Sequence, residues 1–211
     1  NSATVNGSVT AVSTVEMSNS AKINGTCQAS KITLKNSACI VGDATQISAP
    51  RISMPADFDD VIKSQFNGAI STGNLTINNK TPMPYTDPIY IKGDLTISNT
   101  TTIDCPIYVD GTISINNSCT YLGNCIFATG NITISNSTDF SGGNVLVYSK
   151  NGNITTQNST SGSAHAVLFA PKGNIEINNS SFAGRAIGNT VNLTNSGAVT
   201  GGAEGLDVLP G

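Results

Sequence analysis

Apolar residues recur along this chain in short alternating bursts, each opened by a glycine and closed by an asparagine. The clearest are Gly73-Asn74-Leu75-Thr76-Ile77, Gly93-Asp94-Leu95-Thr96-Ile97, Gly111-Thr112-Ile113-Ser114-Ile115, Gly130-Asn131-Ile132-Thr133-Ile134, Gly152-Asn153-Ile154-Thr155-Thr156 and Gly173-Asn174-Ile175-Glu176-Ile177, with a drifted copy at Asn189-Thr190-Val191-Asn192-Leu193. Alternation with a period of two is the signature of a half-buried strand. Repetition at a near-constant interval predicts a solenoid whose coils stack on one another.

Two residues beyond the last core position of each burst stands an asparagine: Asn79, Asn99, Asn117, Asn136, Asn158, Asn179 and Asn195. Two earlier segments, Val15-Glu16-Met17-Ser18-Asn19 and Ile32-Thr33-Leu34-Lys35-Asn36, end in the same way. Successive separations are 17, 43, 20, 18, 19, 22, 21 and 16 residues, and all but the second suit one coil of three short strands. Asparagine tolerates the left-handed corner conformation, and its amide can bond to amides one strand spacing above and below. The column therefore predicts an internal asparagine ladder. A small hydroxyl follows the asparagine in eight of the nine cases, Lys80 being the exception.

A second register precedes most of the glycines: Pro88-Ile89-Tyr90-Ile91, Pro106-Ile107-Tyr108-Val109, Cys125-Ile126-Phe127-Ala128, Leu146-Val147-Tyr148-Ser149 and Val167-Leu168-Phe169-Ala170. By alternation Ile89, Ile91, Ile107 and Val109 face the core, so Tyr90, Tyr108, Phe127, Tyr148 and Phe169 point outward as an aromatic stripe. The long gap between Asn36 and Asn79 carries helix signals instead. Ser53 can cap, Pro55 sits in the first turn and Gly68 ends the segment. Phe58, Val61, Ile62 and Phe66 share one face, and about 13 residues at ~1.5 Å give roughly 20 Å, the span of about four coils. An amphipathic helix must bury its apolar side, and the stripe is the best surface on offer.

The expected fold is thus all-β: a parallel β-helix of about nine coils with an internal asparagine ladder and one α-helix packed on the outside. Its parts are N-terminal coils in 1–49, a helix-containing insertion in 50–72 and the main coils in 73–211, forming one continuous domain.

Composition narrows the chemistry. Of 211 residues, 25 are Asn, 24 Ser and 25 Thr, while 11% are charged and the net charge is −3. Without basic clusters the chain has no surface for nucleic-acid phosphates. No apolar run is long enough to span a bilayer, so no membrane contact is expected from this segment. Few charges among many Asn, Ser and Thr suit an extracellular, cell-surface protein. The cysteines, Cys27, Cys39, Cys105, Cys119 and Cys125, lack metal-site spacing. Cys105 and Cys125 fall near equivalent corners of successive coils, which predicts a disulfide between them, with Cys119–Cys125 as the alternative. Cys119 aligns with Thr101 and Thr138, and Cys27 lies beside Val9 as a reduced core thiol.

The order of parts resembles the β-helical region of pilin-like pilus-assembly surface proteins, above all at Leu168-Phe169-Ala170-Pro171-Lys172-Gly173-Asn174-Ile175-Glu176-Ile177-Asn178-Asn179 and Ala186-Ile187-Gly188-Asn189-Thr190-Val191-Asn192-Leu193. The first coils, Asn6 to Ile47, resemble the polymer-forming bactofilin type of β-helix. The resemblance implies export to the cell surface behind an apolar N-terminal helix that is not among these residues, and it brings no catalytic residue.

Enzymes built on β-helices gather carboxylates on one face. Here Asp57, Asp59 and Asp60 fall in the helix's first turn, Asp94, Asp104, Asp110 and Asp139 occupy different offsets, and His165 is the only histidine. The expectation is therefore no catalytic residue, no metal and no cofactor: a structural or adhesive module whose partners are other surface or pilus subunits, itself included. One alternative is a polysaccharide adhesin gripping sugars with the aromatic stripe. A second is an ice-binding solenoid using the outward pairs Asn74/Thr76, Asp94/Thr96, Thr112/Ser114, Asn131/Thr133 and Asn153/Thr155, which Glu176 interrupts.

Overall fold

Each burst forms a strand, and the strands stack in parallel, coil upon coil, into a β-solenoid of about ten turns in the computed structural model. The structure describes residues 2–47, 59–66, 68, 70–80, 85, 87–158, 161–162 and 165–200. Three short strands make a coil. One face holds Leu75–Asn78, Leu95–Ser98, Ile113–Asn116, Ile132–Ser135 and Ile154–Gln157 in unbroken register, Thr76 pairing with Thr96, Thr96 with Ser114 and Ser114 with Thr133. The second holds Ile89–Ile91, Ile107–Val109, Cys125–Ala128 and Val145–Ser149, and the third Thr102–Ile103, Thr120–Tyr121, Asp139–Phe140 and Ser161–Gly162. In the last coils the strands His165–Asn178 and Ser181–Thr194 run on around a corner and serve two faces each.

Chain order is not spatial order. Strand Ala198–Thr200 pairs on one side with Ser181–Thr194 and on the other with Thr4–Val5, through Thr4↔Ala198 and Val5↔Val199. Lys22–Ile23 and then Cys39–Ile40 continue outward from there. The coils of residues 2–47 therefore extend the stack beyond Ala198–Thr200, and they do not adjoin Leu75–Asn78, which lies at the opposite tip. The chain winds from a point three strands inside one tip out to that tip, resumes at the opposite tip with Leu75–Asn78, and winds back to the same point. From Ile47 to Ser71 it makes 24 residue steps. With the four steps of Asp59–Lys63 at the helical ~1.5 Å and the others at up to ~3.3 Å, these reach about 72 Å, ample for ten turns at ~4.8 Å, or ~48 Å.

The interior is a set of single-residue columns. Ile89, Ile91, Ile107 and Val109 are fully buried, as alternation requires, and so are Ile97, Ile115, Ile134 and Ile177. Each such side chain contributes roughly 1.5–3 kcal/mol of transfer free energy. Thr156 stands in the last of these columns between Ile134 and Ile177, and its buried hydroxyl has no hydrogen-bond partner. Cys27, paired with Val9, is a fully buried free thiol. The opening glycines also stack: a Cβ on Gly173 would lie 1.9 Å from the carbonyl oxygen of Gly152, and one on Gly111 2.3 Å from that of Gly93. Only glycine permits backbones to approach so closely.

Helical structure covers Asp59–Lys63, closing in a turn at Phe66. The expected start at Ser53, Pro55, Asp57 and Phe58 lies outside the described residues. Ile62 and Phe66, four apart, are buried, whereas Val61 is 52% exposed, so the apolar face is narrower than the pattern suggested.

Candidate functional site

The aromatic stripe exists, and it is roofed over. Tyr90, Tyr108, Phe127, Tyr148 and Phe169 come into register on successive coils, and none is more than 5% exposed. Ile62 and Phe66 share one apolar cluster with them. Rings on adjacent coils lie 4.4 to 5.1 Å apart, alternating edge-on, stacked and tilted arrangements, and Phe66 meets Tyr108 at 5.5 Å. Such pairs add about 0.5–1.5 kcal/mol beyond area burial.

Charges pin the helix at both ends of this contact. Lys150 donates to Asp59 at 2.6 Å, with both side chains largely buried. Lys63 lies 3.9 Å from Asp110 and sits 5.5 and 5.8 Å from the ring centres of Tyr90 and Tyr108. The Tyr90 hydroxyl donates to Asp110 at 2.7 Å. Burial, with the Asp110 carboxylate second, raises the Tyr90 hydroxyl above its ordinary range, and the same two causes raise Tyr108 further. Asp59, placed from sequence in the helix's first turn, thus holds a cross-coil ion pair; the position of Lys150 at a coil corner was the available signal.

The asparagine column forms a ladder on the outside of the solenoid rather than within it. Asn117 donates to Asn99 at 3.0 Å, Asn136 to Asn117 at 3.2 Å and Asn158 to Asn136 at 3.0 Å, and Asn36 donates to Asn19 at 2.8 Å. At two places the acceptor lies one residue earlier, Asn99 bonding to Asn78 and Asn195 to Asn178 instead of to Asn79 and Asn179. All nine residues have φ between 47° and 62°, and all are exposed except half-buried Asn99. At Thr100, Ser118, Ser137 and Ser196 the following residue is left-handed too; Ser159 lies outside the described residues. Inside the corner a hydroxyl column takes over. Thr101, Cys119 and Thr138 each donate to the carbonyl three residues back, the sulfur of Cys119 replacing a hydroxyl at 3.1 Å.

A second ladder, missed in the sequence, runs through the positions read as outward pairs. The Asn74 side chain accepts from the Asp94 backbone, Asp94 from that of Thr112, Asn131 from that of Asn153 and Asn153 from that of Asn174, each at 2.8 Å. The signal was the recurring Asn or Asp directly after the glycine.

The predicted disulfide is absent: all five cysteines are free. Tyr121 stands between the expected partners, its hydroxyl donating to the carbonyls of Cys105 at 3.2 Å and Cys125 at 2.6 Å. Burial pushes the Cys105 thiol up to about 11, with Asp104 and Asp87 adding to it, and the Cys125 thiol up to about 12. Thiols held so firmly protonated are poor nucleophiles. Among the described residues no cluster of His, Cys, Asp or Glu could hold a metal, and no helix is long and apolar enough to cross a membrane. The face of Thr76, Thr96, Ser114, Thr133 and Thr155 carries polar side chains that are exposed or half-buried. Set against family models, curated proteins and solved structures, the chain matches none of them.

Proposed function

We propose that this solenoid is a non-catalytic structural or adhesive module of a cell-surface appendage, assembled with other surface or pilus subunits. The observation that carries the reading is the way rigidity is built in. Two side-chain ladders tie corner to corner, and a short charge-pinned helix bridges the coils between Tyr90 and Lys150. A stiff rod with a repetitive, weakly charged surface suits a spacer or building block outside the cell. Labelling intact source cells with an antibody raised to the folded domain tests the placement. Surface signal, and loss of appendages or of attachment on gene disruption, is expected. Signal found only after permeabilisation overturns the reading.

A second reading is favoured by the uncovered face, where Thr76, Thr96, Ser114, Thr133 and Thr155 stand in register and present hydroxyls at the coil spacing to a repeating ligand, a sugar polymer or ice. The aromatic stripe is not the surface for it, because its rings are buried. Retention on insoluble polysaccharide, or thermal hysteresis, that is lost in Thr133→Tyr would establish this reading over the first.

A further inference from the structure

The rod is closed by a joint that is not covalent. Residues 2–47 supply three coils and 59–66 a helix, and among the described residues this arm meets the rod of 70–200 at two places. One is the pairing of Thr4–Val5 with Ala198–Thr200, two residue pairs long and confined to one sheet. The strands Val9–Met17, Cys27–Leu34 and Ala44–Gln46 pair only with one another, and the arm's buried residues Met17, Ile23 and Cys27 form a cluster separate from the main core. The other is the helix on the aromatic stripe, with the Asp59–Lys150 ion pair. Between arm and rod stands Gly68, with φ at 90° and open space where a Cβ would be, a residue able to take another backbone angle without steric cost.

We propose that the arm is exchangeable, so that a second copy of this chain is a binding partner: the arm of each copy lies on the rod of the other, repeating between chains the contacts it makes within one. No new complementarity is needed, because the partner's rod offers the same stripe, the same Lys150 and the same free edge at Ala198–Thr200. Exchange of an identical element is a low-cost route to association when one hinge opens. The position of Gly68 sets the geometry. It lies next to Ser71, whose bridge to Ile91 marks the tip opposite the arm's coils. Two exchanging chains must therefore meet at those tips, so that the dimer is about twice as long as the monomer, ~100 Å against ~50 Å at ~4.8 Å per coil. The inference does not depend on where in the cell the rod works.

The experiment uses the full chain with Cys39→Ser, to remove the exposed thiol, and with Thr4→Cys and Ala198→Cys, which are direct partners across the joint. Refolded at rising concentration, the protein should yield a species of twice the mass, with doubled length in small-angle scattering. Oxidation of that species should give disulfides between chains, while oxidation of the monomer gives them within one. Monomer at every concentration, or a dimer whose joint disulfides all lie within chains, overturns the proposal. The unmodified chain supplies an independent measurement. Its dimer should persist for hours after dilution, since separation requires joint and helix to open together, and return to monomer within mixing time would also overturn it.

Discussion

Replacing Asn117 with Ala removes two amide–amide bonds, the one it donates to Asn99 at 3.0 Å and the one it accepts from Asn136 at 3.2 Å. Both sit on an exposed corner where water can substitute, so each contributes toward the low end of the net range, about 0.5 kcal/mol. The backbone adds a separate penalty. Asn117 has a φ of 62°, a conformation that costs an alanine about 1 kcal/mol more than it costs asparagine. The sum is about 2 kcal/mol. Asn117→Gly separates the two parts, because it keeps the corner and loses only the bonds, and should cost about 1 kcal/mol. A double-mutant cycle of Asn117→Ala with Asn136→Ala isolates the shared bond, with an expected coupling near 0.5 kcal/mol. Urea unfolding followed by far-UV circular dichroism, with unchanged slope, measures all of these. If alanine costs no more than glycine, the corner argument is wrong; if the coupling is zero, the ladder bond contributes nothing.

Thr156→Val keeps shape and removes the buried, unpartnered hydroxyl from the isoleucine column, so the urea midpoint should rise, by about 1 kcal/mol of stability. Phe66→Ala, at the contact with Tyr108, should lose about 3 kcal/mol and weaken the near-ultraviolet tyrosine signal; a neutral outcome in both would mean the helix does not hold the stripe. Thiol counting on the denatured, unreduced chain should return five free thiols, and on the native chain Cys39 should react first; a count of three would restore a disulfide. The folded state holds the Cys105 and Cys125 protons more tightly than the unfolded chain, whose thiols titrate near 9. Their stabilisation is therefore whole below that pH and is lost as pH climbs through about 11 and 12, and Cys105→Ala with Cys125→Ala should flatten the alkaline fall in melting temperature.

Much of this architecture was legible because it is local. The alternation around Ile113 and Ile115 dictates which side chains enter the core, and the alignment of Cys119 with Thr101 and Thr138 reports a real buried column. Coverage of Tyr108 followed from the need of Ile62 and Phe66 to bury themselves. What escaped depends on partners far apart in the chain. Coils of similar length stack on one another without a pairwise code, so nothing in Thr4 or Val5 announces Ala198 and Val199. Cys105 and Cys125 sit at matching corners, yet the pattern does not show that the Tyr121 hydroxyl fills the space between them. That the ladder stands in solvent depends on how each corner is set against the core, and residue identity alone leaves that choice open.

Because Thr4 pairs with Ala198 inside the stack, three strands from one end and eight from the other, both tips of the rod are built from interior stretches of sequence, Cys39–Ile40 at one and Leu75–Asn78 at the other. The solenoid thus has the first and last of its described residues, 2 and 200, on its flank and neither at a tip, like a lever held off-centre rather than a mast held at its foot. It offers two unlike ends, facing opposite directions, to whatever surrounds it.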